Sequence, residues 1–90
     1  MKFNTTALIP LVSKLGKFLQ AGFEHYIAMK AMGMDPSAEA LAAFLEDQMD
    51  DWNPSVKGSK LLDPETKAAC ARFLGGVAFN MAIAQAKKAA

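Results

Sequence analysis

The chain has 90 residues, a net charge of +1 and a single cysteine, and 52% of its residues are hydrophobic. This length supports one domain, and the lone cysteine excludes an internal disulfide, which suits a reducing compartment. The N-terminal segment lacks the apolar core and cleavage site of a secretory signal, so we expect a cytoplasmic protein. A small monomer has difficulty burying so much apolar material, and we therefore expect self-association.

Charge is distributed unevenly along the chain. Segments 1–34, 35–53 and 54–90 carry net charges of +3, −6 and +4. An acidic middle between basic ends can be neutralised within the molecule when the segments pack antiparallel, and this is our first interpretation. No face is basic enough to supply many phosphate contacts, so nucleic acid is not expected as a partner.

Apolar residues recur at helical spacing in the first third of the chain and predict a helix over 7–32. Thr6 is the predicted N-cap, and Gly33 the residue that follows the helix. A straight helix of this length, about 39 Å, would overhang a 90-residue domain. We therefore expect a bend at Gly16 or Gly22, or a partner that covers the overhang. The predicted homodimer interface on this helix consists of Leu15, Leu19, Phe23 and Tyr26.

The second predicted helix spans 36–52 and begins with Asp35-Pro36, where the carboxylate caps and proline takes the first helical position. Pro54 ends this helix because it disfavours helical geometry at the preceding residue. Segment 55–62 is predicted to be a short loop.

The third predicted helix spans 64–88 and opens with Asp63-Pro64. Its stretch 73–86 carries no charge and is too short to cross a bilayer, since about 20 apolar residues are needed. We expect this helix to be central and buried on most sides. The sequence therefore predicts an all-α three-helix bundle. Small residues that would let other helices approach closely are Gly75, Gly76, Ala78, Ala82 and Ala86.

Four carboxylates, paired at i,i+4 spacing, lie at the C-terminal end of the second helix, where the helix dipole disfavours negative charge. Local stability does not explain this arrangement. Neutralisation by Lys57, Lys60 or lysines of the first helix is the first interpretation, a basic patch on a partner protein the second, and a divalent cation the third. Trp52 is the expected hydrophobic anchor. The predicted partner-binding residues are Glu46, Asp47, Asp50, Asp51, Trp52, Lys57 and Lys60.

The chain offers little catalytic equipment. His25 is the only histidine, which excludes a histidine-based metal cluster within one chain, and we expect it at a partly exposed boundary. Cys70 is flanked by alanines, with no adjacent base, so we expect a buried small hydrophobe and not a nucleophile. Enzymatic activity, a cofactor and a metal site are not expected.

These observations favour a non-enzymatic small helical protein that acts through protein–protein contacts, as an assembly subunit or an inhibitor. Small accessory proteins of bacteria and phages have this size and composition. The alternative is a helical oligomer that binds a small ligand in a pocket between helices or protomers, lined by Phe, Met and Tyr26. A role at a membrane surface is a third possibility that we do not favour, because the polar face of the first helix is lightly charged.

Overall fold

The computed structural model describes residues 5–56 and 58–89. Three helices make up most of the chain, and a two-residue antiparallel β-pairing lies between the second and the third. This confirms the predicted all-α three-helix bundle. The elements are α1 (Thr5–Ala31), α2 (Ala38–Trp52), β1 (Ser55–Val56), β2 (Ser59–Lys60) and α3 (Pro64–Ala89).

The molecule is elongated along the direction of its long helices. α1 has 27 residues and is therefore about 40 Å long, and it continues without interruption through Gly16 and Gly22. It begins at Thr5, so Thr6 lies inside the helix and not at its cap. The dimensions are 48 × 20 × 18 Å, and the radius of gyration of 14.2 Å exceeds the value of about 12 Å for a compact chain of this length.

Gly33 ends α1 as the sequence predicts. Its φ of +83° lies in the left-handed region, which glycine adopts without a steric penalty. The Gly33 N–H donates to the Lys30 carbonyl at 3.0 Å, and the Met34 N–H donates to the Met29 carbonyl at 2.9 Å. These two bonds form a Schellman motif, which satisfies carbonyl groups at the end of the helix.

The predicted start of α2 is wrong by two residues. Ser37 is the N-cap, and its side-chain oxygen accepts from the Ala40 N–H at 3.1 Å. Asp35 instead pairs with Lys30 at the end of α1, at 2.7 Å. This hydrogen-bonded ion pair lowers the pKa of Asp35 and raises the pKa of Lys30. Both Asp and Ser are good N-cap residues. Here the Asp35 carboxylate pairs with Lys30, and Ser37 caps α2.

The segment predicted as a loop contains a very short hairpin. Ser55 pairs with Lys60, and Val56 pairs with Ser59, in antiparallel register. Gly58 has a φ of +85°, which suits the tight turn between the two strands. Two residue pairs are too few to produce an alternating apolar pattern, so periodicity alone could not reveal this hairpin.

Asp63 and Pro64 open α3 as predicted. The Asp63 Oδ1 accepts from the Thr66 N–H at 2.7 Å, which satisfies one of the free amides at the start of the helix. Hydrogen bonds from the Thr66 backbone and side chain lower the pKa of Asp63. The helix dipole also favours negative charge at this position.

The capping role of Asp63 predicts a pH-dependent stability. A carboxyl whose pKa is lowered by folding stabilises the fold above its ordinary pKa near 3.8, and this contribution is lost as the pH falls through the lowered value. The asparagine of an Asp63→Asn variant still caps but does not titrate. We expect the wild type to melt at a higher temperature than this variant at pH 7, and the difference to vanish in strong acid. A difference that persists in acid would contradict the assignment.

α2 lies antiparallel to its neighbours, and α3 makes the most extensive contacts with the other two helices, which agrees with its predicted central place. The antiparallel pairing with α3 is fixed by Ala42, which lies beside Gly75, and by the ion pair between Asp50 and Lys67. The pairing with α1 is fixed by two ring contacts, Phe18–Trp52 and His25–Phe44.

The core is a narrow stripe along these helices. Burial of α3 on most sides was expected, and this is wrong: Phe73 is 70% exposed and Met81 is 46% exposed. In a three-helix bundle each helix is covered along one stripe only. The uncharged stretch of α3 therefore still presents one face to water. The buried hydrophobic residues are Phe18, Leu41, Leu45, Met49, Leu62, Ala71, Leu74, Ala78 and Ala82.

Small residues let the helices approach closely at two points, as predicted. A Cβ on Gly75 would lie 2.8 Å from the backbone nitrogen of Ala42, so α2 and α3 are in backbone contact there. A Cβ on Gly22 would lie 3.1 Å from the Ala78 Cβ, which marks the contact between α1 and α3. Gly76, in contrast, has open space around its Cβ position.

Candidate functional site

The acidic end of α2 is partly neutralised from α3. Lys67 forms an ion pair with Asp50, and the Lys67 side chain is mostly buried. The hydrogen bond to Asp50 raises the pKa of Lys67, against the effect of desolvation, and the charges of Asp50, Glu46 and Asp47 add to the increase. Asp50 is therefore neutralised within the chain, but by a lysine of α3 that we did not predict.

The structure does not show the acidic cluster paired with the lysines that we expected to neutralise it. Lys60 donates to the backbone oxygen of Asn53 at 3.2 Å, and Lys57 lies outside the described residues. Within the part of the chain that the structure describes, no basic group lies at ion-pair distance from Glu46, Asp47 or Asp51. Asp47 and Asp51 are exposed.

Trp52, the predicted anchor, is half-buried against the core. Its ring meets that of Phe18 edge to face, with the centroids 5.7 Å apart and the planes at 76°. This geometry is one that aromatic pairs prefer, and it contributes about 0.5–1.5 kcal/mol beyond burial. Trp52 therefore has a structural role in the contact between α1 and α2.

Asn53 is a key residue that sequence reasoning missed. It is 8% exposed, and its side chain makes two hydrogen bonds with the backbone of Leu62. The amide Nδ2 donates to the Leu62 carbonyl at 2.8 Å, and Oδ1 accepts from the Leu62 N–H at 2.9 Å. The end of α2 is thus fastened to the start of α3 across the hairpin.

A polar cleft of about 360 Å³ lies between the end of α2, the hairpin and the start of α3. Its charged groups are engaged in the bonds just described: Lys67 with Asp50, Lys60 with the Asn53 carbonyl, and Asp63 with Thr66. The cleft therefore has balanced charge and a structural explanation for its polar side chains. Its lining residues are Asp50, Asn53, Ser59, Lys60, Leu62, Asp63, Pro64 and Lys67.

A second, mainly apolar depression runs between α1 and α3. We call it the α1–α3 groove, and its volume is about 440 Å³. The groove lies next to the contact between Gly22 and Ala78, and its α3 wall consists of residues that follow Ala78. Among the described residues that line it, Lys88 alone is charged. These described residues are Gly16, Leu19, Gln20, Phe23, Met81, Ala84, Gln85 and Lys88.

The four predicted interface residues of α1 divide between this groove and the bundle interior. Leu19 and Phe23 line the groove. Leu15 packs against the core, and Tyr26 meets Phe79 of α3 edge to face, with centroids 5.9 Å apart. The structure therefore brings together only the first pair at the surface.

Apolar exposure continues along α1 beyond the groove. Val12 is 57% exposed and Ile27 is 47% exposed, and helical spacing places both on the face that carries Leu19 and Phe23. Sequence reasoning did not find the α3 wall of this surface, because the uncharged stretch of α3 looked like a buried segment.

The residues with potential nucleophilic or basic chemistry lie against other side chains. The ring of His25 stacks on that of Phe44, with centroids 3.9 Å apart and an interplanar angle of 3°. Cys70 packs at the edge of the core, and burial raises the pKa of its thiol. A raised pKa reduces the thiolate population that nucleophilic attack requires.

Two further findings concern the described residues. No three His, Cys, Asp or Glu side chains among them are arranged to hold a metal ion. None of the described helices combines the length and apolar character that a bilayer crossing requires. Comparisons with protein-family models, with curated proteins and with solved structures find no match to this chain.

Proposed function

We propose that the protein is a non-enzymatic assembly subunit that acts through protein–protein contacts, with the α1–α3 groove as its main contact surface. One observation carries this proposal. The groove is apolar and solvent-facing, and it is continuous with exposed Val12 and Ile27. A continuous apolar surface of this kind, on a protein that has a separate core, is typical of a binding surface.

The chemistry of the described side chains supports contacts over catalysis. The His25 ring is covered by Phe44 on one face, and the Cys70 thiol has a raised pKa. The charged residues of the polar cleft are held in structural bonds. An enzyme site would instead need a nucleophile or base with a neighbour that activates it.

The acidic end of α2 is proposed as a second contact surface, for a protein with a basic patch. Asp47 and Asp51 are exposed, whereas Asp50 is already paired with Lys67. The proposed contact therefore uses the first two acids and leaves the third to the fold. Complementary charge at the rim of an interface increases the association rate more than the affinity.

A small-ligand binder is the second candidate function, and the groove itself favours it. A volume of about 440 Å³ lies within the usual range of ligand pockets, about 300–1,000 Å³. Phe23 and Met81 line the groove, in agreement with the predicted Phe and Met lining. Tyr26 does not line it.

The groove can be tested with two variants on one helix. Met81→Glu places a charge in the groove, whereas Phe73→Glu places the same charge at an exposed position of α3 that does not line it. Each variant, immobilised, would be exposed to an extract of the cells that express the protein, and bound proteins would be identified by mass spectrometry. We expect the wild type and Phe73→Glu to retain the same bound protein, whether it is another protein or a second copy of this chain. We expect Met81→Glu to lose it.

Other outcomes separate the alternatives. Equal retention by Met81→Glu and Phe73→Glu would overturn the groove as the contact surface. A small mass that accompanies the wild type in native mass spectrometry, and is lost from Met81→Glu, would favour the ligand binder. The double variant Asp47→Asn, Asp51→Asn is expected to lose a different, basic protein, and unchanged retention would exclude the acidic surface.

A further inference from the structure

We propose that the α1–α3 groove is occupied by α1 of a second copy of this chain, with the two α1 helices antiparallel about a twofold axis beside Leu19 and Gln20. This inference rests on the proposed function, since it names the occupant of the same groove. It is carried by the spacing, the sizes and the charges of residues on α1.

The first argument is the spacing of the apolar residues. Val12, Gly16, Leu19 and Phe23 follow one another at intervals of four, three and four residues, which is the spacing of a coiled-coil seam. We call these four residues the α1 seam. Three of them line the groove, and Val12 extends it. A long apolar stripe of this kind matches another helix better than it matches a compact small molecule.

The second argument is the match of side-chain sizes. In the antiparallel arrangement, Gly16 of one copy faces Phe23 of the other, and Val12 faces Ile27. Apart from the adjacent backbone of α1, no described atom lies within 4 Å of the position that a Gly16 Cβ would take, so there is room for an aromatic ring. A parallel arrangement would place Gly16 against Gly16 and Phe23 against Phe23, which leaves a void at one position and crowding at the other.

The third argument is the charge beside the seam. Lys17 and Glu24 are seven residues apart and therefore lie on one flank of α1; both are exposed. In the antiparallel register, Lys17 of each copy is level with Glu24 of the other, to within about 3 Å along the helix axis. Gln20, which lines the groove, donates to the Glu24 carboxylate at 3.1 Å. The charges on this flank are then complementary twice over, as a twofold arrangement requires.

The primary test is the mass of the purified chain in solution. Light scattering coupled to size exclusion, at micromolar concentration, is expected to give twice the chain mass of 9.7 kDa. Gly16→Leu fills the space that Phe23 of the other copy needs, and is expected to weaken the dimer about tenfold or more. The matched control is Gly76→Leu, on α3, where the Cβ position is equally open but lies outside the groove. This control should leave the dimer unchanged.

Paired changes test the antiparallel register. The double variant Gly16→Leu, Phe23→Ala places the large side chain at position 16 and the small one at position 23. Because these positions face each other across the proposed contact, this variant should restore the dimer. Lys17→Glu should weaken association, and Lys17→Glu combined with Glu24→Lys should restore it. Thermal melting of each variant checks that the monomer remains folded.

The inference has clear contrary outcomes. A monomeric wild type, a Gly16→Leu dimer as tight as the Gly76→Leu dimer, or paired changes that restore nothing would each overturn it. The proposed function would survive these results if Phe73→Glu still retained a different protein that Met81→Glu loses. The proposed function would fail together with the inference only if Met81→Glu and Phe73→Glu retained the same proteins.

Discussion

Asn53→Ala is expected to lower the free energy of unfolding by about 2–4 kcal/mol. The change removes both hydrogen bonds to the buried backbone of Leu62. The Leu62 N–H and carbonyl then lose their partners while they remain away from water, and an unsatisfied buried polar group costs about 1–3 kcal/mol. Urea unfolding followed by circular dichroism measures the loss.

Lys60→Ala is the matched control for this change. It removes the hydrogen bond that Lys60 donates to the Asn53 carbonyl, but this side chain is exposed. Its effect should lie within the range of ordinary surface substitutions, about 0.5 kcal/mol. If Asn53→Ala costs no more than Lys60→Ala, Asn53 does not fasten α2 to α3.

Gly75→Ala is expected to destabilise the protein by about 1–3 kcal/mol, although alanine is the better helix former. The new Cβ would lie 2.8 Å from the Ala42 nitrogen and 2.9 Å from its Cα. These are backbone atoms of α2, which cannot rotate away as the end of a side chain can. The two helices must therefore separate, and the contacts around them weaken.

Gly76→Ala should have the opposite sign. It is the next residue on the same helix, and its Cβ position is open. The change should stabilise the protein by about 0.5–1 kcal/mol through helix propensity alone. Chemical denaturation of both variants measures the difference, and equal effects at the two positions would contradict the close approach of α2 and α3.

The helix boundaries were largely predictable because they depend on residues that act locally. Gly33 adopts a left-handed backbone without a steric penalty, Pro54 disfavours helical geometry at Asn53, and Asp63 caps the helix that follows. The start of α2 was not predictable in the same way. Asp35 and Ser37 are both good caps, and in the structure Ser37 caps α2 while Asp35 pairs with Lys30 across the turn.

The candidate site was predictable only in part, because burial and pairing depend on elements that are distant in sequence. The pattern of α1 predicted one interface of four residues and did not separate the two that line the groove, Leu19 and Phe23, from the two that face the bundle. Lys67 and Asn53 could not be assigned, since their partners are reached across the hairpin. Met81 was expected inside the bundle, because hydrophobicity indicates what a helix can bury and not which neighbours cover it.

The uneven distribution of burial among the helices links folding to association. Within the side chains that the structure describes, α1 buries only Phe18 and Gly22, whereas α2 and α3 supply most of the core. We therefore expect α1 to be the helix whose local opening costs the least free energy. The helix that carries the proposed dimer contact is then also the one held most weakly by its own chain, and a second copy would supply additional contacts to it. If the dimer forms, the melting temperature is expected to rise with protein concentration by mass action.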